Sequence, residues 1–189
     1  AVGPGLGTSE VARSLSERLA AAPIPAVFDA DALNLAAGRP ELFARRGSAT
    51  VLTPHPGEAA RLLGTDTGEI ARDRLGAARM LARLSGATVI LKGFRSLVAT
   101  PDGWAATVLA GNAGQASGGM GDVLTGLVGA LLARGFTARD AASAGAWLHG
   151  TAGDLAREEK GEEGLIASDI ASNLPAAFQA LFTHPQDDV

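Results

Sequence analysis

The sequence contains no cysteine. Disulfides, thiolate nucleophiles and metal ions held by sulfur are therefore excluded. It also lacks a long apolar run, because the longest one, Val123 to Ala133, is interrupted by Thr125 and two glycines. That run is far short of the roughly 20 residues that a bilayer requires. We therefore expect a buried helix there and no membrane partner.

Charge of one sign is not in excess, since 16 basic and 20 acidic residues give a net charge of −4. Such a chain has no general attraction for phosphate backbones, so we do not expect a nucleic-acid partner. The first residues lack a basic segment followed by an apolar one, so we expect no signal peptide and a cytoplasmic location. A length of 189 residues predicts a single domain over 1–189.

Short apolar runs alternate with helical patterns, which predicts an α/β fold with a mostly parallel sheet. We expect strands at 26–29, 49–53 and 88–92, and a hairpin that joins 97–100 to 104–109 through Pro101-Asp102-Gly103. Helices are expected behind Thr8 or Ser9, at 57–63, 69–84, 121–134, 137–158 and 168–182. Pro175 is expected to kink or divide the last helix.

Apolar spacing supports two of these helices. Val11, Leu15 and Leu19 recur at helical spacing in the first helix. In the 69–84 pattern the residues on or near the inner face are Leu75, Ala78, Met80 and Leu81. The residues at 185–189 are expected to form a loose tail.

Polar or glycine-rich chemistry follows each expected strand. The strand exits carry Gly3 to Gly7, then Asp29 and Asp31, then His55 and Glu58, then Lys92. Ligands of open parallel sheets bind beyond the carboxyl ends of the strands. The four exits together therefore predict one cleft edge.

Lys92 is one of only two lysines, whereas the chain has 14 arginines, so we do not expect it to be an ordinary surface charge. Its ammonium could act as a point charge on a phosphate. The alternative is a lysine at a strand end whose charged tip reaches water.

The strongest local signal is the segment 111–122, which has five glycines within 111–121 and leads into an apolar helix. Unpaired N–H groups at such a junction form an anion site. No Gly-Lys-Ser/Thr closes the segment, so it is not a Walker A loop. Asp122, in the first helical turn, is either a helix cap or a general base that accepts a proton from an attacking hydroxyl, and spacing alone favours neither.

Weaker signals surround these. Gly3 to Gly7 is a near miss of the dinucleotide fingerprint, because its third glycine comes one place early and Pro4 removes an N–H. His55 lies between two prolines that stiffen its turn, whereas His149 and His184 receive no functional role. No histidines or carboxylates have the spacing of metal ligands, so we expect no zinc held by the protein.

Several motifs in order resemble a known family. They are 3–7 (Gly-Pro-Gly-Leu-Gly), 29–34 (Asp-Ala-Asp-Ala-Leu-Asn), 53–59 (Thr-Pro-His-Pro-Gly-Glu-Ala), Leu91-Lys92-Gly93, and 111–126 with Gly118-Gly119-Met120-Gly121-Asp122 at its centre. Over nearly the whole chain the sequence resembles the ADP/ATP-dependent NAD(P)H-hydrate dehydratases of the ribokinase-like superfamily. The resemblance implies a three-layer α-β-α fold and a chain that lacks the family's N-terminal part.

The resemblance also implies a repair reaction. NADH or NADPH that has gained water on its nicotinamide ring would be phosphorylated on the new hydroxyl by ADP or ATP with Mg²⁺, and phosphate would then be eliminated. The implied catalytic residues are Asp122 as base, with Gly119 and Gly121 in the anion hole. The hydrated dinucleotide would contact Gly5, His55 and Asp122. The adenine nucleotide would contact Lys92, Gly93, Phe94, Arg95, Ser96, Asn112 and Gly121, and Glu58 would act indirectly on the metal.

Three positions depart from what is common among relatives. His55 stands where related sugar and vitamin kinases have Asn, which favours the dehydratase branch, and Ser96 replaces a frequent Thr while keeping the hydroxyl. Gln115 stands where Met is commoner, with no predicted consequence. By resemblance we expect a homotetramer and a fused or partner epimerase.

Other functions remain open at this point. The nearest alternative is a kinase of the same fold acting on a vitamin precursor, such as a hydroxymethylpyrimidine or hydroxyethylthiazole kinase. A nucleotide-binding lobe without activity is a second alternative. A Rossmann dehydrogenase is a third, and the short glycine spacing argues against it.

Overall fold

The computed structural model describes residues 1–44 and 46–181. Its sheet contains five strands in chain order, each hydrogen-bonded to the next: β1 (Ala26–Phe28), β2 (Thr50–Leu52), β3 (Thr88–Leu91), β4 (Leu97–Ala99) and β5 (Ala105–Thr107). The first three strands are parallel, and Val2 adds a parallel bridge to Phe28 at the β1 edge. The β3–β4 and β4–β5 pairs are antiparallel hairpins. The Pro101-Asp102-Gly103 turn joins β4 to β5 as predicted.

Eight α-helices lie within the described residues. They are α1 (Glu10–Ala21), α2 (Ala30–Leu35), α3 (Pro56–Leu63), α4 (Thr67–Arg72), α5 (Arg74–Ser85), α6 (Met120–Ala133), α7 (Ala138–Lys160) and α8 (Ala167–Ala180). Two 3-10 turns add Pro40–Phe43 and Ala113–Ala116. None of the helices in 1–44 and 46–181 is both long enough and apolar enough to cross a bilayer.

The sheet lies between two helical layers because its side chains alternate from face to face. Phe28 and Leu52 belong to a core shared with the helices that precede β3. Val27, Val51 and Ile90 belong to a second core shared with α6, α7 and α8. This arrangement confirms the three-layer α/β fold that the sequence predicts.

Some helix boundaries differ from the prediction. The pattern at 69–84 forms two helices, since the backbone leaves helical geometry at Asp73 (φ −142°, ψ 76°), whose carboxylate then accepts from the Gly76 N–H. Pro175 lies inside α8 without dividing it. The expected end of that helix at 181–182, apart from Leu181, and the expected tail at 185–189 lie outside the described residues, as does His184.

The apolar residues that mark α1 and α5 are only partly buried. On α1, Val11 and Leu15 are 79% and 43% exposed, and the side chains turned to the core are Ala12, Ser16 and Ala20. On α5, Leu75 and Met80 are also largely exposed, while Ala78 and Leu81 are buried as predicted. Small residues face the protein on α1, so apolar spacing identified the helix but not its buried side.

Candidate active site

Polar side chains that follow β1, β2 and β3 meet at one edge of the sheet, as the sequence predicts. The Lys92 ammonium lies 2.7 Å from Asp29 Oδ1 and 3.9 Å from Glu58 Oε2. Asp29 is almost completely buried, and its Oδ2 accepts a 2.8 Å hydrogen bond from the Thr125 hydroxyl of α6. Lys92 and the buried carboxylate of Asp29 therefore join three strand exits to the first turns of α6.

The first glycine-rich loop, Gly3 to Gly7, packs against the backbone of Asp29. Gly3 has a φ of +129°, and a Cβ at this position would lie 1.8 Å from the Asp29 carbonyl oxygen. The Gly7 N–H donates to the Asp31 carboxylate at 2.8 Å. Gly5 is exposed at the outside of the loop, with no atom near where its Cβ would lie. Close packing therefore requires glycine at position 3, whereas no atom of the described residues lies close to Gly5 on its outer side.

Lys92 is already paired within the protein, because its ammonium donates to Asp29. Its role as a point charge on a phosphate stays a prediction. Lys92 is not a tip extended to water, since its side chain is only 20% exposed. The ammonium lies beneath the start of α6, where a Cβ on Gly121 would be 3.2 Å from Nζ. Lys92 therefore neutralises Asp29 directly below the predicted anion hole.

His55 and Glu58 form a reciprocal cap at the start of α3. His55 Nδ1 accepts from the Gly57 and Glu58 N–H groups at 3.0 and 3.3 Å, and Glu58 Oε2 accepts from the His55 N–H at 2.8 Å. The His55 ring is half exposed, with Nε2 3.3 Å from the other Glu58 oxygen. Both Glu58 oxygens are thus engaged within the protein, which fits an indirect role better than direct metal ligation.

The second glycine-rich segment, residues 111–122, is held in place by hydrogen bonds to α7. The Gly111 N–H donates to Asp154 Oδ2 at 2.8 Å, and the Asn112 amide donates to Asp154 Oδ1 at 3.0 Å. Gln115 accepts from the Asn112 N–H at 3.1 Å and donates to the His149 carbonyl at 3.0 Å. The segment is fixed by side chains of a helix that lies more than thirty residues further along the chain.

His149 and Asp154 are site residues that the sequence interpretation missed. Between them α7 carries Gly150 and Gly153, which allow the segment to approach closely. A Cβ on Gly150 would lie 2.6 Å from the Ala110 oxygen, and one on Gly153 would lie 2.2 Å from the Gln115 Cδ. Glycines inside a helical pattern were the available signal, because such glycines mark close packing.

The surroundings of His149 favour a neutral ring. Burial lowers the pKa of His149 below its ordinary value, and the nearby charge of Lys92 lowers it further, against a hydrogen bond to the Met120 carbonyl that raises it. A histidine with a lowered pKa keeps a neutral ring at physiological pH.

A cavity of about 540 Å³ opens between the β3–β4 turn, the second glycine-rich segment, the start of α6 and the middle of α7. Every residue predicted to contact the adenine nucleotide lines it: Lys92, Gly93, Phe94, Arg95, Ser96, Asn112 and Gly121. His55 and His149 line it as well. The predicted residues Gly5, Glu58, Gly119 and Asp122 lie outside this lining.

Asp122 is exposed at the start of α6, and the structure does not place it in the cavity wall. It is not a helix cap either, because Gly119, in a left-handed conformation (φ +82°), holds the N-cap position without a side-chain bond. Successive residues turn about 100° around a helix. Leu124 therefore faces the cavity, Thr125 faces Asp29, and Asp122 faces the open side beyond, with Gly121 between.

A magnesium ion that arrives with its nucleotide needs few ligands from the protein. Within 1–44 and 46–181 there is no group of three metal-ligating side chains. Magnesium often uses only one or two protein carboxylates together with phosphate oxygens and water. Asp122 is exposed and forms no side-chain hydrogen bond among the described residues, so its carboxylate is available to a bound ligand.

Known proteins match nearly the whole chain. The sequence profile of a protein family described as NAD(P)H-hydrate dehydratase matches residues 1–176. A bifunctional NAD(P)H-hydrate repair enzyme of Vibrio cholerae is 47% identical over 175 residues, which cover 92% of this chain and 34% of that enzyme. An ADP-dependent (S)-NAD(P)H-hydrate dehydratase of Neisseria meningitidis is 46% identical over 181 residues, which cover 93% of this chain and 60% of the relative.

A solved structure has the same fold. The ADP/ATP-dependent NAD(P)H-hydrate dehydratase of Bacillus subtilis, co-crystallised with ATP and Mg²⁺, matches with a TM-score of 0.87 at 31% identity. The match covers 95% of this chain and 64% of that one, so this chain spans about a third to two thirds of the proteins it resembles. The predicted ribokinase-like fold is confirmed.

Proposed function

Since this chain belongs to the NAD(P)H-hydrate dehydratase family, we propose that it returns NAD(P)H hydrate to NAD(P)H at the expense of ADP or ATP. One observation carries the proposal. The N-terminus of α6 lies between a cavity lined by the predicted nucleotide-binding residues and the exposed carboxylate of Asp122. A phosphoryl group above Gly121 would then lie between the nucleotide that donates it and the ring hydroxyl that accepts it.

Asp122 acts as the base in this proposal. Its carboxylate accepts the proton of the ring hydroxyl as that oxygen forms a bond to the terminal phosphorus of the nucleotide. The bond from phosphorus to the bridging oxygen breaks, and its electron pair leaves with AMP or ADP. Magnesium, when bound with the nucleotide, would neutralise phosphate charge, and Glu58 would act on it indirectly, since both of its oxygens are engaged within the protein.

The backbone from Gly119 to Gly121 stabilises the charge that develops on the phosphoryl oxygens. N–H groups in the first turn of a helix have no partner within the helix and carry the positive end of its dipole. Gly121 has no Cβ between its amide and the Lys92–Asp29 pair below it. Backbone donors that are already oriented cost little reorganisation during the reaction.

Elimination completes the dehydration. The ring carbon–oxygen bond breaks, phosphate leaves with the electron pair, and the loss of a proton from the neighbouring ring carbon restores the double bond. Gly5 and the half-exposed His55 are proposed to contact the dinucleotide on the open side of the site. A cytoplasmic location, a single domain over 1–189, a homotetramer and an epimerase partner remain parts of the proposal.

The direct test supplies NADH hydrate, Mg²⁺ and either ADP or ATP to the purified protein and follows absorbance at the wavelength of reduced nicotinamide. Recovery of absorbance with release of phosphate is expected. A kinase of the same fold would consume nucleotide and accumulate a phosphate ester without recovery. Absence of recovery with both nucleotides rejects the proposal.

Replacing Asp122 by Asn separates catalysis from structure. A missing base predicts turnover about 10²–10⁴-fold slower, with nucleotide binding largely kept. The matched control is Asp140→Asn, which makes the same change in the first turn of α7, where Asp140 is exposed and bonded to Thr137. Equal turnover in the two variants would remove Asp122 from the mechanism.

A further inference from the structure

His149 contacts the start of α6 through a well-defined bond. Its Nε2 lies 2.9 Å from the Met120 carbonyl oxygen, and its Nδ1 lies 3.2 Å from the Gln115 side-chain nitrogen. A carbonyl can only accept, so Nε2 carries the proton. Nδ1 then accepts from Gln115, which makes the ring neutral, as its lowered pKa requires.

The orientation of Gln115 is itself fixed by two other contacts. Its oxygen must accept from the Asn112 N–H, and its nitrogen donates to the His149 carbonyl. The amide therefore cannot be reversed without losing both bonds. Gln115, which had no predicted role, thus determines which nitrogen of His149 holds the proton.

The Met120 carbonyl belongs to the same planar peptide unit as the Gly121 N–H. A bond to that carbonyl therefore fixes the direction of the amide hydrogen on the other side of the unit. Among the described residues no acceptor is found for the Gly121 N–H, as is normal in the first turn of a helix. A hydrogen bond received by the carbonyl also polarises the amide and strengthens its donor.

From this geometry we propose that His149 is a positioning residue, which holds the Met120–Gly121 peptide so that its N–H is directed at the transferring phosphoryl group. The inference rests on the proposed function, because it assigns the support of that site's anion hole. The general packing of this region does not depend on His149, since Asp154 already anchors the glycine-rich segment to α7. Direct proton transfer by His149 is disfavoured because both ring nitrogens are occupied.

A pair of substitutions tests the role. His149→Phe removes the donor, whereas His149→Gln retains an N–H near the position of Nε2. We expect His149→Phe to lower kcat about 10- to 100-fold, below the effect of deleting an anion-hole donor itself. The KM for ADP should change less than about threefold, since the N–H acts mainly in the transition state.

Rescue distinguishes positioning from bulk packing. His149→Gln is expected to recover most of the lost kcat, although its side chain fills the space less well than a ring. Equal losses in the two variants, or a loss confined to KM, would overturn the proposal. Circular dichroism and urea unfolding establish that each variant is folded before the rates are compared.

Nuclear magnetic resonance tests the same assignment without turnover. Nitrogen-15 spectra at pH 7.5 should show the His149 ring, identified by its absence from the His149→Phe spectrum, protonated only on Nε2. Gln115→Met should weaken that preference, while Gln179→Met, an exposed change on α8, should not. Addition of ADP with Mg²⁺ should shift the Gly121 amide signal, and His149→Phe should reduce that shift.

These spectra separate the two failures. If the protein binds ADP but does not dehydrate NADH hydrate, the proposed function fails while the assignment of His149 is still decided by the Gly121 signal. A charged ring, a ring protonated on Nδ1, or a Gly121 amide indifferent to His149→Phe overturns the inference.

Discussion

The two lysines of the chain both pair with an aspartate, but water reaches the two pairs differently. Lys92 is 20% exposed and its partner Asp29 is 2% exposed. Lys160 is 53% exposed, so water reaches its ammonium, although the carboxylate of its partner Asp169 is only 6% exposed. A buried charge that loses its partner is left without compensation, whereas water can replace an exposed ammonium.

Lys92→Met is therefore expected to lower the free energy of unfolding by about 3 kcal/mol, because it leaves the Asp29 carboxylate buried and unpaired. The control Lys160→Met should cost less, because water reaches the place of its half-exposed ammonium and the Ile166 N–H still donates to Asp169. Urea unfolding of both variants at pH 7 measures the difference. Adding Asp29→Asn to Lys92→Met should recover part of the loss, and a purely additive double variant would contradict the pairing argument.

At the scale of elements, α7 is the helix that organises the site. Gly150 and Gly153 bring it against the second glycine-rich segment, and on either side of them it supplies His149 and Asp154 as hydrogen-bonding groups. Glycine inside a helix ordinarily weakens it by about 1 kcal/mol relative to alanine. At Gly150 the close approach to Ala110 outweighs that cost.

Gly150→Ala is accordingly expected to destabilise the protein by about 1–3 kcal/mol, because its Cβ would meet backbone atoms that cannot move aside cheaply. It should also raise the KM for nucleotide by displacing the segment that lines the cavity. Gly126→Ala in α6 is the matched control, since no atom lies within 4 Å of the new methyl group. That change should stabilise the protein by about 0.5–1 kcal/mol in thermal or urea unfolding. The same sign in both variants would contradict the packing argument.

At the scale of the whole molecule, the cavity is assembled from segments far apart in sequence. The β3–β4 turn, the segment after β5 and the middle of α7 all contribute to its wall. A ligand that contacts all of them binds the folded chain and not the unfolded one. Nucleotide binding should therefore stabilise the fold as a unit.

Saturating ADP with Mg²⁺ is expected to stabilise the protein by about 2.7 kcal/mol at a concentration 100 times its Kd, and thermal unfolding will measure this. Adenosine at the same concentration is the control, because it lacks the phosphates that the start of α6 would bind. An equal rise in Tm with adenosine would place the affinity in the base and not at the helix N-terminus.

The sequence by itself determined the features that depend on neighbouring residues. Apolar runs rich in β-branched residues located β1, β2 and β3, and Pro101-Asp102-Gly103 located a hairpin. Contiguous motifs also identified the wall of the cavity, because residues at strand ends and in glycine-rich loops act through adjacent backbone atoms. The family followed from the order of these motifs.

Only the tertiary structure decided which distant groups meet. Lys92 and Asp29 are 63 residues apart, and His149 reaches Met120 from another helix, so no local pattern could pair them. The buried side of α1 was likewise decided by what packs against it, which left Val11 exposed and Ala12 inside. Periodicity depends on the local backbone, whereas ion pairing, ring tautomer and helix face depend on neighbours that only folding supplies.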